Sequence, residues 1–81
     1  MRLIGRSSSL GAKKRPYSLS LREIEVLGWV ARGKSAREIA VILKITKRTI
    51  DAHAHSAVQK MGAVNRINAV AIAIRDRIVK V

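Results

Sequence analysis

An all-α fold of four helices is predicted for this chain on three observations. Two Ser-x-x-Glu capping boxes mark helix starts, two glycines stand where helices should stop, and no segment alternates apolar and polar residues as a half-buried strand would. The first helix opens at Ser20-Leu21-Arg22-Glu23, where the serine hydroxyl accepts from the N3 amide and the glutamate reaches back to the cap amide. Leu19 and Ile24 occupy the positions of a hydrophobic staple, and Gly33 ends the helix by accepting a left-handed conformation. Ser35-Ala36-Arg37-Glu38 opens a short second helix running to about Leu43. Thr46 caps a third, with Ile45 and Ile50 as its staple and Gly62 as its stop. Asn65 caps a fourth that runs to about Asp76 or Arg77.

Residues 1–18 show neither helical nor strand periodicity, with Ser7–Ser9, two glycines and Pro16. They read as a flexible basic arm or interdomain linker, and residues 19–81 as the domain. A transit peptide shares the arm's composition, but its glycines leave little amphipathic helix to form. A tether to an upstream domain is the better reading.

At 81 residues the chain has room for one domain with a small core. It carries 17 Lys and Arg against 5 Asp and Glu, a net charge of +12. Such a charge predicts attraction to polyanions, nucleic acid first and an anionic membrane surface second. Five of the cations (Arg2, Arg6, Lys13, Lys14, Arg15) lie in the arm, so most of the basicity belongs to the folded part. The absence of cysteine removes disulfides and thiolate metal sites and fits a reducing cytoplasm. The longest apolar run, residues 69–74, is far too short to span a bilayer.

The second and third helices, joined by Lys44-Ile45-Thr46, form a helix-turn-helix pattern. Many helical hairpins share that pattern, so the faces of the third helix decide its meaning. At about 100° per residue, Ile50, Ala54, Ala57 and Met61 make one apolar stripe with Val58 at its edge. The opposite side presents Arg48, Ala52, His55, Ser56 and Gln59, flanked by Lys47 and Asp51 on one side and Thr49, His53 and Lys60 on the other. Short side chains at the centre let a helix enter a groove, while cations at the margins meet phosphates. Ala52 suits a thymine methyl, and Asp51 suits a cytosine amine. Lys34, Ser35 and Arg37 begin the second helix, where free amides and the helix dipole favour a phosphate. His53 and His55 point in different directions two residues apart, and with no cysteine or carboxylate pair beside them a zinc site is not expected.

These residues resemble the LuxR-type DNA-binding domain, in its quorum-sensing branch. The likeness runs through Leu19-Ser20, Arg22-Glu23, Val26-Leu27, Trp29, Gly33-Lys34-Ser35, Glu38-Ile39-Ala40, Thr49-Ile50, His53, Lys60-Met61, Asn65-Arg66 and Ala69-Val70. The resemblance implies a four-helix LuxR/FixJ-type fold, no cofactor, a pseudo-palindromic double-stranded DNA operator and a homodimer through the fourth helix. It also implies RNA polymerase as a partner, the bacterial cytoplasm as the compartment, and an acyl-homoserine-lactone sensor N-terminal to this domain. Output of a two-component response regulator, or a stand-alone regulator, stays open as the alternative. Base contacts are implied at Asp51, Ala52 and His55. Backbone contacts are implied at Thr46, Lys47, Arg48, Thr49, His53 and Lys60, in addition to Lys34, Ser35 and Arg37. Lys44 replaces the glycine usual in the turn, so a non-glycine residue is expected there in a left-handed conformation.

In the fourth helix Ile67, Val70, Ala71, Ile74 and Ile78 form an apolar stripe expected to pack inward. Ala69, Ile72 and Ala73, on the other side, are then the expected dimer face. No nucleophile, carboxylate pair or glycine-rich phosphate loop suggests an enzyme. The cations are spread over several helices, which disfavours a membrane-surface helix, and one Tyr, one Trp and no Phe disfavour single-stranded RNA.

Overall fold

Capping chemistry sets the start of every helix. The computed structural model describes residues 15–80, and within them α1 (Leu21–Ala31), α2 (Ala36–Leu43), α3 (Lys47–Met61) and α4 (Arg66–Arg75) follow one 3-10 turn, Pro16–Ser18. No strand occurs among the described residues, as expected, and most of the basic arm, residues 1–14, lies outside them. Both capping boxes form: Ser20 Oγ accepts from the Glu23 N–H at 3.0 Å while Glu23 Oε1 accepts from the Ser20 N–H at 2.8 Å. The Ser35–Glu38 pair repeats this at 3.1 and 2.8 Å. Thr46 Oγ1 and Asn65 Oδ1 cap α3 and α4 by accepting from Thr49 and Asn68 amides at 3.1 and 2.7 Å.

All four helices end in one way. A left-handed residue turns the chain so that the following amide reaches back to a carbonyl in the last turn: Lys34 to Trp29, Ile45 to Ala40, Ala63 to Val58 and Ile78 to Ala73. Gly33 and Gly62 hold that conformation with φ of 87° and 64°. Lys44 and Arg77 hold it at φ 59° with a Cβ in place, at about 1 kcal/mol each. The turn residue Lys44 thus behaves as expected.

α3 is the axis of the fold. It packs against α1, α2 and α4, while α2 and α4 lie apart on its two sides. Ile50 and Ala54 join Val26 and Ile39 in a core between α1, α2 and α3. Ala57 and Met61 join Leu19, Leu27, Ala69, Ala73 and Val79 in a second core shared with α4.

The expected orientation of α4 is met only in part: Val70 and Ile78 pack against the core as expected, but the rest of the stripe does not. Ala69 and Ala73 are fully buried and Ile72 packs against the same core, whereas Ile67 is 78% exposed and Ala71 and Ile74 also face outward. The physical reason is side-chain size. Ala57, Ala69 and Ala73 meet between α3 and α4, and small residues let two helix backbones approach where isoleucines would hold them apart. The Ala69–Ile72–Ala73 face is therefore internal and is not free to form a dimer contact.

Residues just before Leu19 are also held to the helices. Tyr17 Oη donates to Asp76 Oδ2 at 2.8 Å, and Arg75 Nε holds the other oxygen of the same carboxylate at 2.9 Å. Tyr17 and Ser18 are both left-handed, at φ 57° and 58°, and this double turn delivers Leu19 into the core.

Glu23 joins these parts. Its side chain is 5% exposed, and besides the Ser20 amide it accepts from Lys60 Nζ at 2.9 Å; Lys60 also donates to the Ser18 carbonyl at 3.2 Å. Burial pushes the carboxyl pKa up, but the Ser56 hydroxyl, the Ser20 amide and the Lys60 ammonium outweigh it and bring it down to about 2. A carboxylate held below its unfolded value stabilises the fold above that value and stops doing so as pH falls toward the folded one.

Stability is accordingly expected to fall between about pH 4.5 and pH 2, by on the order of 3 kcal/mol from this group. Urea unfolding of the wild type and of Glu23→Gln across that range measures it, and the variant should be weaker at neutral pH and flatter toward acid. Lys44→Gly and Arg77→Gly are each expected to raise stability by up to about 1 kcal/mol, read from the urea midpoint.

Candidate nucleic-acid interface

Burial of Ile50, Ala54, Ala57 and Met61 fixes which side of α3 meets solvent. Arg48, Ala52, His55 and Gln59 are all exposed, and their spacing sets them in one line along the helix. Thr49 and His53 sit half-buried on one flank. Ser56, placed on the outer side by sequence, turns toward Glu23 instead and is half-buried. Two expected base-contacting residues, Ala52 and His55, therefore lie side by side at the middle of the free face.

The first turn of α3 is unlike those of α1 and α2. Each of the latter carries a glutamate that completes its cap, as suits the positive end of a helix dipole. α3 has no acid in its first turn and carries Lys47 and Arg48 there. Cations at that end are unfavourable by a few tenths to about 1 kcal/mol each at low salt, unless an anion is brought to them. Thr46 and Thr49 stand beside them, joined by a 2.9 Å hydrogen bond between their hydroxyls.

At the start of α2, Lys34, Ser35 and Arg37 are exposed, as expected. The site differs in one respect from the expectation. Glu38 already takes the Ser35 amide while the Ser35 hydroxyl takes the Glu38 amide, and these contacts hold the Glu38 carboxyl below its ordinary pKa. Attraction for a phosphate here rests on the charges of Lys34 and Arg37, the Ser35 hydroxyl proton and the remaining first-turn amides of Ala36 and Arg37.

Lys60 and Asp51 also differ from expectation. Lys60 is tied to Glu23 and the Ser18 carbonyl, so its ammonium stabilises the fold rather than standing free at the margin of α3. Asp51 is drawn between two cations: its Oδ2 accepts from Lys47 Nζ at 2.8 Å and its Oδ1 from Arg66 Nη2 at 3.3 Å. The Lys47 ammonium, then the Arg66 guanidinium, hold its carboxyl below the usual range against the opposing effect of burial. Arg66 was not among the residues expected at the site. Its signal in the sequence is a cation directly after the Asn65 cap of α4, where an acid would suit the helix better.

The described residues bring together no group of histidines and carboxylates able to hold a metal, and none of their helices is long and apolar enough to cross a membrane. A recess of about 330 Å³ lies between α1 and the chain after α4, lined by Ile24, Trp29, Arg32 and Val79 among others, with no residue from α3. The cationic face of α3 is a ridge suited to entering a groove, not a pocket.

Comparison with known proteins agrees with this fold. The family model for bacterial regulatory proteins of the luxR family matches residues 17–73. The transcriptional activator protein BjaR1 of Bradyrhizobium diazoefficiens is 54% identical over 61 residues, which are 75% of this chain and 25% of that protein. The HTH-type quorum sensing-dependent transcriptional regulator RpaR of Rhodopseudomonas palustris is 47% identical, over 83% of this chain and 30% of its own length. The chain thus spans about a quarter of the length of these relatives. The solved structure of the transcription factor GerE superposes with a TM-score of 0.73 at 29% identity, covering 76% of this chain and 92% of that one. This chain belongs to the luxR family of bacterial regulatory proteins and has the helix-turn-helix DNA-binding fold of that family.

Proposed function

We propose that the domain binds double-stranded DNA sequence-specifically as the output unit of a quorum-sensing transcriptional regulator in the bacterial cytoplasm. The observation that carries the reading is the outer face of α3. Its first turn bears Lys47 and Arg48 where a helix favours acids, followed along the exposed line by Ala52 and His55. Ala52 and His55 are the base readers. Thr46, Lys47, Arg48, Thr49 and His53, with Lys34, Ser35 and Arg37 from α2, take the phosphates. The name and similarity of RpaR support quorum sensing; in this reading an acyl-homoserine lactone is bound by a domain N-terminal to this one, and transcription is affected through RNA polymerase.

The operator is pseudo-palindromic and the domain binds it as a homodimer through α4. The face available for that contact is the outward one, Ile67, Ala71 and Ile74, continued by Val64, which is 83% exposed. Spacings of four and three residues place Ile67, Ala71 and Ile74 in one apolar stripe of α4 that the domain does not cover itself.

Selection from a random duplex pool is expected to return two half-sites about one helical turn apart. His55→Ala should relax one position in each half-site, at about 1–3 kcal/mol of discrimination. Selection of no motif, or equal affinity for single strands, would overturn the reading. Ile67→Glu and Ile74→Glu should fold like the wild type, since both side chains are exposed, but bind the full operator without cooperativity. Undiminished cooperativity in both variants would place the dimer contact elsewhere.

A further inference from the structure

Asp51 is the only acid between Glu38 and Asp76, and it lies on the flank of the α3 ridge that faces α4. Double-stranded DNA presents one negative charge per about 1.7 Å of axis, so a free carboxylate here would oppose binding. In the structure it is not free. Lys47 from α3 and Arg66 from α4, 19 residues apart in sequence, approach its two oxygens at 2.8 and 3.3 Å.

We infer that Asp51 is a positioning residue that holds Arg66 at the edge of the reading face, and that Arg66 contacts a DNA phosphate. The assignment rests on the DNA-binding reading of α3 and extends its interface to a second helix. Three observations carry it. The contact engages one of the guanidinium's five N–H donors, Nη2 at 3.3 Å, and leaves most of that fork to meet another group. Arg66 and Asp51 side chains are 38% and 39% exposed, so the pair stands at the surface beside the ridge and not within a core. An ion pair this exposed adds roughly 0–1 kcal/mol to stability, so holding α3 to α4 is a poor account of it next to the buried contacts of Ala57, Ala69 and Ala73. The two cations also outnumber the carboxylate, leaving the flank positive toward an approaching strand.

The same geometry changes the role expected of Asp51. A carboxylate reading a cytosine amine must turn an oxygen toward the groove. Here the oxygens are turned to Lys47 and Arg66, and the preferred sequence should not depend on them.

The test titrates the 81-residue chain and its variants against the duplex selected by the wild type and a scrambled duplex, across a salt series. Arg66→Ala should weaken binding to both duplexes alike and reduce the log–log salt slope by about one unit, with Arg66→Lys restoring most of the slope. Its urea midpoint should stay near that of the wild type, which separates a phosphate contact from a structural role. Selection with Asp51→Asn should return the wild-type motif. An unchanged slope in Arg66→Ala overturns the phosphate contact, and a changed base in the Asp51→Asn motif overturns the positioning role. Failure of the wild type itself to bind duplex would overturn the DNA-binding reading first, and is seen before any variant is compared.

Discussion

The buried carboxylate of Glu23 is the point on which the arrangement of this domain depends. One side chain completes the cap of α1, receives the ammonium of Lys60 near the end of α3, and through Lys60 secures the turn at Ser18 that carries Leu19 into the core. Removing a charge from water is costly, and the cost is offset only when hydrogen bonds and an opposite charge replace the lost hydration. Here the Ser20 amide, the Ser56 hydroxyl and Lys60 do so together. The crossing of α1 over α3 is thereby tied to one polar contact at a defined position, while the apolar contacts around it supply most of the attraction. The opposite face of α3 then projects away from the bundle, free of the three helices that hold it.

The helices of this domain divide by the charges at their starts. α1 and α2 each carry a glutamate that closes the cap. α3 and α4 have no acid in their first turns, and their cations converge on the single carboxylate of Asp51. Stability alone would favour the first arrangement throughout. The second is what a surface built to meet an external polyanion requires, and it occurs only where the domain faces outward beside the reading helix.

Much of this was legible in the sequence because it is local. Caps at Ser20, Ser35, Thr46 and Asn65, the stops at Gly33 and Gly62, and the left-handed Lys44 all follow from side chains within a few residues of the backbone they satisfy. The apolar stripe of α3 was legible too, since only one of its faces is apolar. α4 was misread because it is apolar nearly all round, and hydrophobicity cannot then say which side packs. Alanine at 57, 69 and 73 decides the matter through backbone distance, a property of two helices together. Lys60 and the Asp51–Arg66 pair were hidden for a similar reason: these partners lie 37 and 15 residues apart, and periodicity ranks them only by face.

The bond between Tyr17 and Asp76 has a mechanical consequence. It brings the incoming chain to the corner at the C-terminal end of α4, where Ile78 and Val79 then turn back onto the core. Ten residues of helix, about 15 Å, separate that corner from Arg66. A force applied through the preceding chain reaches Leu19 through the backbone and the far end of α4 through this bond, with the helix as its lever arm. Tilting that lever moves the apolar stripe and the start of α4 together, because a helix transmits rotation along its length with little bending.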